Sequence, residues 1–388
     1  MHIPGIKEFS KIEPWIKEKP EDFVVEEIDY SGKQLTVDYS LKEKIKDAIK
    51  KEFKDQLHVT LVKKNYTTNR AIKQISSKLR IGRRRIGYAG TKDKKAITAQ
   101  RISIWNIELK KVKKIKLKDI TLKNFKYSNK RLSLGNLEGN RFTITVRPLM
   151  TKKELQEKKG KIEKAFSEKI PNYFGPQRFG IQREVNHLIG KELSLGNLER
   201  ATKFFLTYPG DENYDASKAR EFTNKNWGDF KEAITKYPRF LGLEVAVLNS
   251  LVKSPKDFGN ALQKIPKKIR KIFVHSYQSY LFNSLLKHLI EKNKEVPEEL
   301  PLVGYESELS GEIKKFIEKK LKQDGLSLES FKLRRTPKLA EKGLYRESFV
   351  EIKDFKILEI KDNFLKICFT LDKGVYATTA LMKLGELI

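Results

Sequence analysis

The chain has 388 residues, with 81 lysines and arginines against 50 aspartates and glutamates, and a formal net charge of +31. A charge of this size predicts a polyanionic partner, because each neutralised phosphate releases condensed counterions. No apolar run approaches the roughly 20 residues that span a bilayer, and the N-terminal segment lacks the apolar core of a signal peptide. The single cysteine excludes an internal disulfide and a cysteine-rich zinc site. We therefore expect a cytoplasmic protein.

The first hundred residues alternate strand and helix patterns. Glu21–Ile28 and Gln56–Lys64 are typical of strands, and the first places Phe23, Val25 and Glu27 on one face. Residues 41–53 carry an apolar stripe that predicts an amphipathic helix with its stripe facing the core: Leu41, Ile45, Ala48, Ile49 and Phe53. A second helix is predicted over 69–79, with Thr68 as its N-cap.

The segment 101–147 is rich in β patterns. Its last part, RLSLGNLEGNRFTITVR, predicts a hairpin with Gly135–Asn136 or Gly139–Asn140 at the turn. A capping box formed by Thr151 and Glu154 then indicates the start of a helix.

The segment after Pro171 is mainly helical, and its clearest helix is predicted over Phe273–Glu291. Two further β patterns, FKILEI and FLKICFTL, close the chain. A β-rich end after a helical middle indicates that the last strands return to the first sheet and that the middle is an insertion. The fold class we predict is α+β.

Several function classes lack their motifs. The sequence has no G-x-x-x-x-G-K-[ST] loop for nucleoside triphosphates and no G-x-G-x-x-G after a strand for a dinucleotide. The five histidines are scattered without metal-ligand spacing. We therefore expect no cofactor and no metal.

The segment Gly87–Gln100, GYAGTKDKKAITAQ, holds a single acid among lysines. Lys92, Lys94 and Lys95 favour the ionised form of Asp93. From the residues alone, a turn aspartate in a solvated basic loop is favoured over a catalytic carboxylate. The preceding RIGRRRIG fits either an exposed charged turn or a phosphate contact, and the net charge of the chain favours the contact.

These residues resemble a known family. GYAGTKDKKAITAQ is similar to the signature of TruD-type tRNA pseudouridine synthases, and PNYFGPQRFG (171–180) is similar to a second TruD signature. EDFVVEEI with the upstream Lys17, GNRFTI (139–144), SYQSYLFN (276–283) and GVYATTALMKL follow in the family's order. The resemblance covers essentially the whole chain. It departs from the family at the C-terminus, where Leu371–Val375 and the pair Met382 and Lys383 replace the usual residues.

The resemblance implies a role for each matching residue. Asp93 takes the position of the catalytic aspartate, and Lys17 that of an active-site lysine. Asn140 would orient the aspartate, and the ring of Phe142 would stack on the target base. From the residues alone, a solvated lysine, a turn former and a core aromatic are the ordinary alternatives for the last three.

The resemblance also implies a function, an architecture and a partner. The chain would isomerise uridine to pseudouridine in tRNA, with uridine 13 of the D-arm as the expected target, and would act as a monomer. The catalytic domain would comprise 1–171 and 350–388, circularly permuted relative to other pseudouridine synthases, with a TruD-specific α/β domain inserted at 172–349. Two other readings are a non-catalytic RNA-binding or RNA-folding protein of this fold, and a different RNA modifier such as a methyltransferase.

Overall fold

The computed structural model describes Ile3 and residues 12–49 and 52–388. The described chain divides into two compact units, one formed by 12–170 and Val350–Ile388 and the other by Ile3 and Pro171–Phe349. We call the first the sheet unit and the second the helical unit.

The strands are mostly gathered in the sheet unit. In chain order they are β1 Phe23–Asp29, β2 Gln56–Lys64, β3 Ile86–Tyr88, β4 Ile97–Trp105, β5 Ile120–Ser128, β6 Leu137–Val146, β7 Ile170–Pro171, β8 Glu299–Leu302, β9 Leu344–Glu347, β10 Phe349–Val350, β11 Lys353–Lys361 and β12 Phe364–Asp372.

The α-helices are mostly gathered in the helical unit. In chain order they are α1 Leu41–Ala48, α2 Thr68–Leu79, α3 Leu109–Lys113, α4 Lys152–Ser167, α5 Pro176–Phe179, α6 Asn186–Leu195, α7 Leu198–Thr207, α8 Tyr214–Lys225, α9 Phe230–Lys236, α10 Gly242–Lys253, α11 Phe258–Gln263, α12 Lys267–Glu291, α13 Gly311–Gln323 and α14 Ala377–Gly385.

The sheet unit is built on an eight-stranded sheet of order β11-β12-β6-β1-β4-β2-β5, with β3 paired to β4. Among the described strands of this sheet the β1–β4 pair is parallel and the other pairs are antiparallel, so the sheet is mainly antiparallel. β12 inserts between β11 and β6, which confirms that the C-terminal strands return to the first sheet. The predicted α+β class is therefore confirmed.

The core of the sheet unit follows from strand alternation. Phe23, Val25 and Glu27 all lie on the buried face of β1. Helix α2 packs Ile72 and Ile75 into a cluster with residues of β2 and β4. The Thr151–Glu154 capping box opens α4 as predicted.

The predicted helix over 41–53 is wrong in length and orientation. α1 ends at Ala48, and Leu41, Ile45 and Ile49 are exposed. The buried residue is instead Asp47, whose carboxylate accepts hydrogen bonds from two backbone N–H groups of β5. Because β5 is an edge strand, its outward N–H groups need an acceptor, and this requirement outweighs the apolar stripe.

Two further local predictions are corrected. The N-cap of α2 is Thr67, whose hydroxyl accepts from Arg70 N, and Thr68 is the first helical residue. The predicted hairpin over 131–147 is absent, because β6 is one continuous strand that pairs with β1 and β12. Gly139 lies inside that strand, where a Cβ would meet the carbonyl oxygen of Leu371 at 2.4 Å. A glycine is therefore needed at this position because β6 and β12 approach each other closely, and not because the chain turns there.

The helical unit is organised around the long helix α12, which confirms the helical pattern predicted for the middle of the chain. Tyr277, Leu281 and Leu285 of the predicted stripe are each fully buried. α12 packs closely on α6 at Gly190, where a Cβ would meet the carbonyl oxygen of Phe273 at 2.0 Å. The backbone contact requires a residue without a side chain.

Candidate active site

Asp93 lies in the loop between β3 and β4, at the end of the central parallel strand pair. Its carboxylate is one-third exposed, and its Oδ2 accepts a hydrogen bond of 3.1 Å from Lys17 Nζ. The loop therefore presents a partly exposed carboxylate, held by the side chain of a lysine that lies 76 residues earlier in the chain.

Lys17 reaches Asp93 from an unusual backbone conformation. Its φ is 57°, in the left-handed region that costs a non-glycine residue about 1–3 kcal/mol. Its ammonium also lies 4.0 Å from the centre of the Phe23 ring, in cation–π geometry. The carboxylate and the aromatic face compensate for the backbone strain, and together they fix the ammonium beside Asp93.

Lys92, the neighbour of Asp93, points into the protein. Its ammonium forms an ion pair of 3.0 Å with Glu27, and the two side chains are 6% and 0% exposed. It also donates to Asn140 Oδ1. Glu27 and Asn140 are register partners on β1 and β6, so the loop is attached to two central strands.

Lys63 approaches the same loop from beneath. This lysine of β2 is fully buried, and its Nζ donates a hydrogen bond of 2.8 Å to the backbone carbonyl of Asp93. Burial lowers the pKa of Lys63 to about 8, with Asp93 acting in the opposite direction and Lys92 acting with the burial. The lysine under the candidate catalytic residue therefore has a pKa closer to neutral pH than that of an ordinary lysine.

Two polar side chains complete the attachment of the loop. The Thr68 hydroxyl accepts from Lys92 N at 2.9 Å and donates to Gln100 Oε1 at 2.8 Å. Gln100 Nε2 in turn donates to the carbonyl of Gly90 at 2.9 Å. Gly90 and Lys92 of the loop are thus bonded to the buried side chains of Gln100 and Thr68, which fix the backbone that leads into Asp93.

Phe142 lies next to this site but is largely covered. It is 7% exposed, its ring contacts Phe23 edge-to-face at 6.1 Å, and it stacks on Phe369 at 5.5 Å. Because the Lys17 ammonium lies over the Phe23 ring, Phe23 and Phe142 form an apolar surface beside the Lys17–Asp93 pair.

The structure therefore brings the four predicted site residues together in different ways. Lys17 contacts Asp93 directly, Asn140 is joined to the loop through Lys92, and Phe142 is connected to Lys17 through Phe23.

Sequence reasoning missed the residues that hold the loop: Glu27, Lys63, Thr68 and Gln100. Glu27 carried a signal, because a carboxylate on the apolar face of a strand needs a buried partner. Lys63 carried none, since a lysine near a strand end is ordinarily solvated.

The described residues contain no group of three or more His, Cys, Asp or Glu side chains that could hold a metal ion. Within the same residues, no helix is both long enough and apolar enough to cross a bilayer.

Comparison with known proteins identifies the family. The model of the family "tRNA pseudouridine synthase D (TruD)" matches residues 6–299 and 292–384. A probable tRNA pseudouridine synthase D of Methanopyrus kandleri is 35% identical over 84% of this chain and 84% of the relative. One of Nanoarchaeum equitans is 35% identical over 95% of this chain and 98% of the relative.

The fold agrees with the sequence match. The crystal structure of the putative tRNA pseudouridine synthase D from Methanosarcina mazei superposes with a TM-score of 0.73 and 32% identity, over 96% of this chain and 93% of that one. Fold and sequence thus define an enzyme of the pseudouridine synthase class. The chain belongs to the tRNA pseudouridine synthase D (TruD) family.

Proposed function

We propose that this enzyme isomerises uridine to pseudouridine in tRNA and that Asp93 is its catalytic residue. The observation that carries the proposal is the paired, partly exposed Asp93 carboxylate in a loop that buried side chains hold in place. The family supports the reaction, and the net charge of +31 supports a polyanionic substrate.

The reaction suits this arrangement. The N1–C1′ glycosidic bond breaks, the uracil rotates, and a new bond forms between C5 and C1′. C5 then loses its proton and N1 takes up one, so the product has the same composition as the substrate. An ionised carboxylate next to C1′ stabilises or attacks the developing cationic sugar, as the carboxylates of glycosidases do. An alternative route, in which the carboxylate removes a ribose proton to give a glycal, uses the same residue.

The other site residues receive distinct roles in this proposal. Lys17 orients the Asp93 carboxylate by its 3.1 Å contact. Asn140 orients the loop by accepting from Lys92. Phe142 is the ring proposed to stack on the flipped uracil, because a uridine must leave its stack to reach the carboxylate. Since the ring is 7% exposed, this contact requires it to become more accessible when tRNA binds.

The sheet unit, which holds all of these residues, would be the catalytic domain, and the helical unit would be the TruD-specific domain. The target we propose is uridine 13 of the D-arm. An experiment that tests this proposal must therefore detect pseudouridine and identify its position in the RNA.

The test compares wild type with Asp93→Asn on an unmodified tRNA transcript and maps pseudouridine at nucleotide resolution. We expect the variant to lose roughly 10²–10⁴-fold or more in rate and to keep wild-type tRNA affinity in filter binding. Asp119→Asn, which changes an exposed aspartate of the sheet unit, is the matched control and should keep full activity.

Three results would contradict parts of the proposal. Turnover of Asp93→Asn near the wild-type rate would exclude Asp93 as the catalyst. A wild-type protein that binds tRNA without forming pseudouridine would indicate an RNA-binding or RNA-folding role. Modification that persists when uridine 13 is replaced by cytidine would exclude that position as the target, and a gain in RNA mass would exclude isomerisation.

A further inference from the structure

The sheet unit carries a strongly basic surface that begins at the catalytic loop. Residues 56–107 contain thirteen lysines and arginines and one acidic residue, Asp93. Six of these cations are exposed on α2 and the turn that follows it, and we call them the basic track: Arg70, Lys73, Lys78, Arg80, Arg83 and Arg84.

The direction of the basic track follows from the fold. α2 begins beside the catalytic loop, where Thr68 accepts from Lys92 N. It ends at Arg80, and the turn then leads into β3, whose Ile86 pairs with Ile104 near the far end of β4. The nine residues of β4 are separated by eight steps of about 3.3 Å each, so the basic track extends about 26 Å away from the loop.

An exposed tryptophan lies at the end of this track. Trp105 is the last residue of β4 and is 48% exposed, whereas the seven residues before it are buried. Its ring is covered on one side by the Arg85 guanidinium, at 5.4 Å from the ring centre. About half of the Trp105 side chain is therefore accessible to solvent.

Arg85 is fixed in this position. Its Nη2 and Nε donate to the carbonyl of Trp105 at 2.7 and 3.1 Å, and Nη2 also donates to the carbonyl of Asn106. Because these hydrogen bonds already hold the Arg85 side chain in one conformation, it loses little further conformational entropy when a ligand binds. The pair is thus a preorganised cation–aromatic surface rather than an isolated exposed ring.

Few acidic residues accompany this charge. Asp55 lies beside Trp105, because its backbone carbonyl accepts from Asn106 N at 2.7 Å, and Glu108 pairs with Lys111 at 3.4 Å. An exposed aromatic ring next to arginine side chains is a combination that binds unpaired nucleotides of RNA. Each nucleotide offers the face of its base for stacking and its phosphate for neutralisation.

We propose that Trp105 and Arg85 stack an unpaired base of the tRNA substrate, and that the basic track binds the phosphates between this base and the uridine at Asp93. The inference rests on the proposed function for the identity of the RNA. It adds a second contact about 26 Å from the chemistry, which would determine affinity and placement of the tRNA rather than the rate of isomerisation.

The first experiment replaces Trp105 by Leu and measures kcat and KM on the unmodified tRNA transcript, with direct binding by fluorescence anisotropy. Loss of one stacked base should raise KM and Kd by about 5- to 150-fold and leave kcat at saturating tRNA unchanged. Trp105→Tyr should restore most of the affinity because it keeps an aromatic face. Tyr214→Leu, which removes an exposed ring beside Lys218 in the helical unit, is the matched control.

The second experiment replaces Arg83 and Arg84 together by Gln and measures Kd against salt concentration. Two lost phosphate contacts should reduce the slope of log K against log salt by roughly 1.4–1.8. The control, Lys314→Gln with Lys315→Gln on α13, should keep the wild-type slope.

The inference is overturned if Trp105→Leu, with a wild-type melting temperature, stays within twofold of wild type in KM and Kd. It is also overturned if Trp105→Tyr binds as weakly as the leucine variant, or if the arginine variant keeps the wild-type slope. Failure of the proposed function gives a different result, since wild type would then form no pseudouridine while anisotropy would still report tRNA binding by each variant.

Discussion

The buried pair of Glu27 and Lys92 allows a quantitative test of how the catalytic loop is held. The perturbation is Lys92→Met, which leaves the Glu27 carboxylate buried with one remaining hydrogen bond, from the backbone N–H of Arg101. Lys94→Met is the control, because Lys94 belongs to the same loop but is exposed.

The magnitude follows from burial. Removing one partner of a buried ion pair costs about 3–5 kcal/mol, because the other charge remains without compensation. For a unit of this size, each kcal/mol corresponds to roughly 2–4 °C, so the melting temperature of the sheet unit should fall by roughly 6–20 °C. Lys94→Met should change the free energy of unfolding by less than about 0.5 kcal/mol.

The assay is a double-mutant cycle with Glu27→Gln, read by urea unfolding and by calorimetry. The double variant should recover most of the stability, because it buries no lone charge, while its activity stays low because Asn140 has lost its Lys92 donor. If the two single losses are small and simply add in the double variant, the pair does not hold the loop and the reasoning is refuted.

Three further predictions concern glycines and pH. Gly139→Ala should cost about 1–3 kcal/mol by overpacking the β6–β12 contact, whereas Gly160→Ala, in the open interior of α4, should stabilise by about 0.5–1 kcal/mol; urea midpoints of the two variants that move in the same direction would contradict this. Because burial lowers the pKa of Lys63 to about 8, the unfolded chain binds more protons above that pH, and the free energy of unfolding should rise from pH 8 to about 10.5 in wild type but not in Lys63→Met. Burial also lowers the pKa of His187 to about 4, so the free energy of unfolding should fall as the pH is lowered from about 6.5 to 4. The His187→Phe variant should not show this fall in its melting temperature; if it loses as much stability as wild type, His187 is not the cause.

Much of the sheet could be predicted because its strands alternate strictly. β2 was predicted with its observed bounds, and the division of β1 into two faces was predicted residue by residue, although not which face is buried. The same periodicity failed for α1, since Asp47 satisfies the N–H groups of an edge strand that cannot be recognised before the strand order is known.

The site was predictable to the extent that it is local in sequence. Asp93 was found through its loop, and Lys17 through the order of motifs that the chain shares with the TruD family. Lys63 and Thr68 could not be found, because their contacts with the loop depend on the packing of β2 and α2 against β4. Of the two turn positions predicted, Gly135–Asn136 does lie at a turn, where Asn136 N donates to the carbonyl of Ser133 at 3.1 Å. Gly139 lies within β6 instead, because a close strand approach and a turn both select glycine.

The insertion of β12 between β6 and β11 has a consequence for synthesis of the chain. Arg141 on β6 and Cys368 on β12 are 227 residues apart, so β6 has an open edge until the last strand has left the ribosome. An unpaired strand edge is prone to pairing with other chains, and long-range pairing is slow to form. Asn140 pairs with Glu27 on β1 and with Leu371 on β12, so a chain that lacks β12 should hold Asn140 from one side only. Activity should then stay low until β12 has joined the sheet.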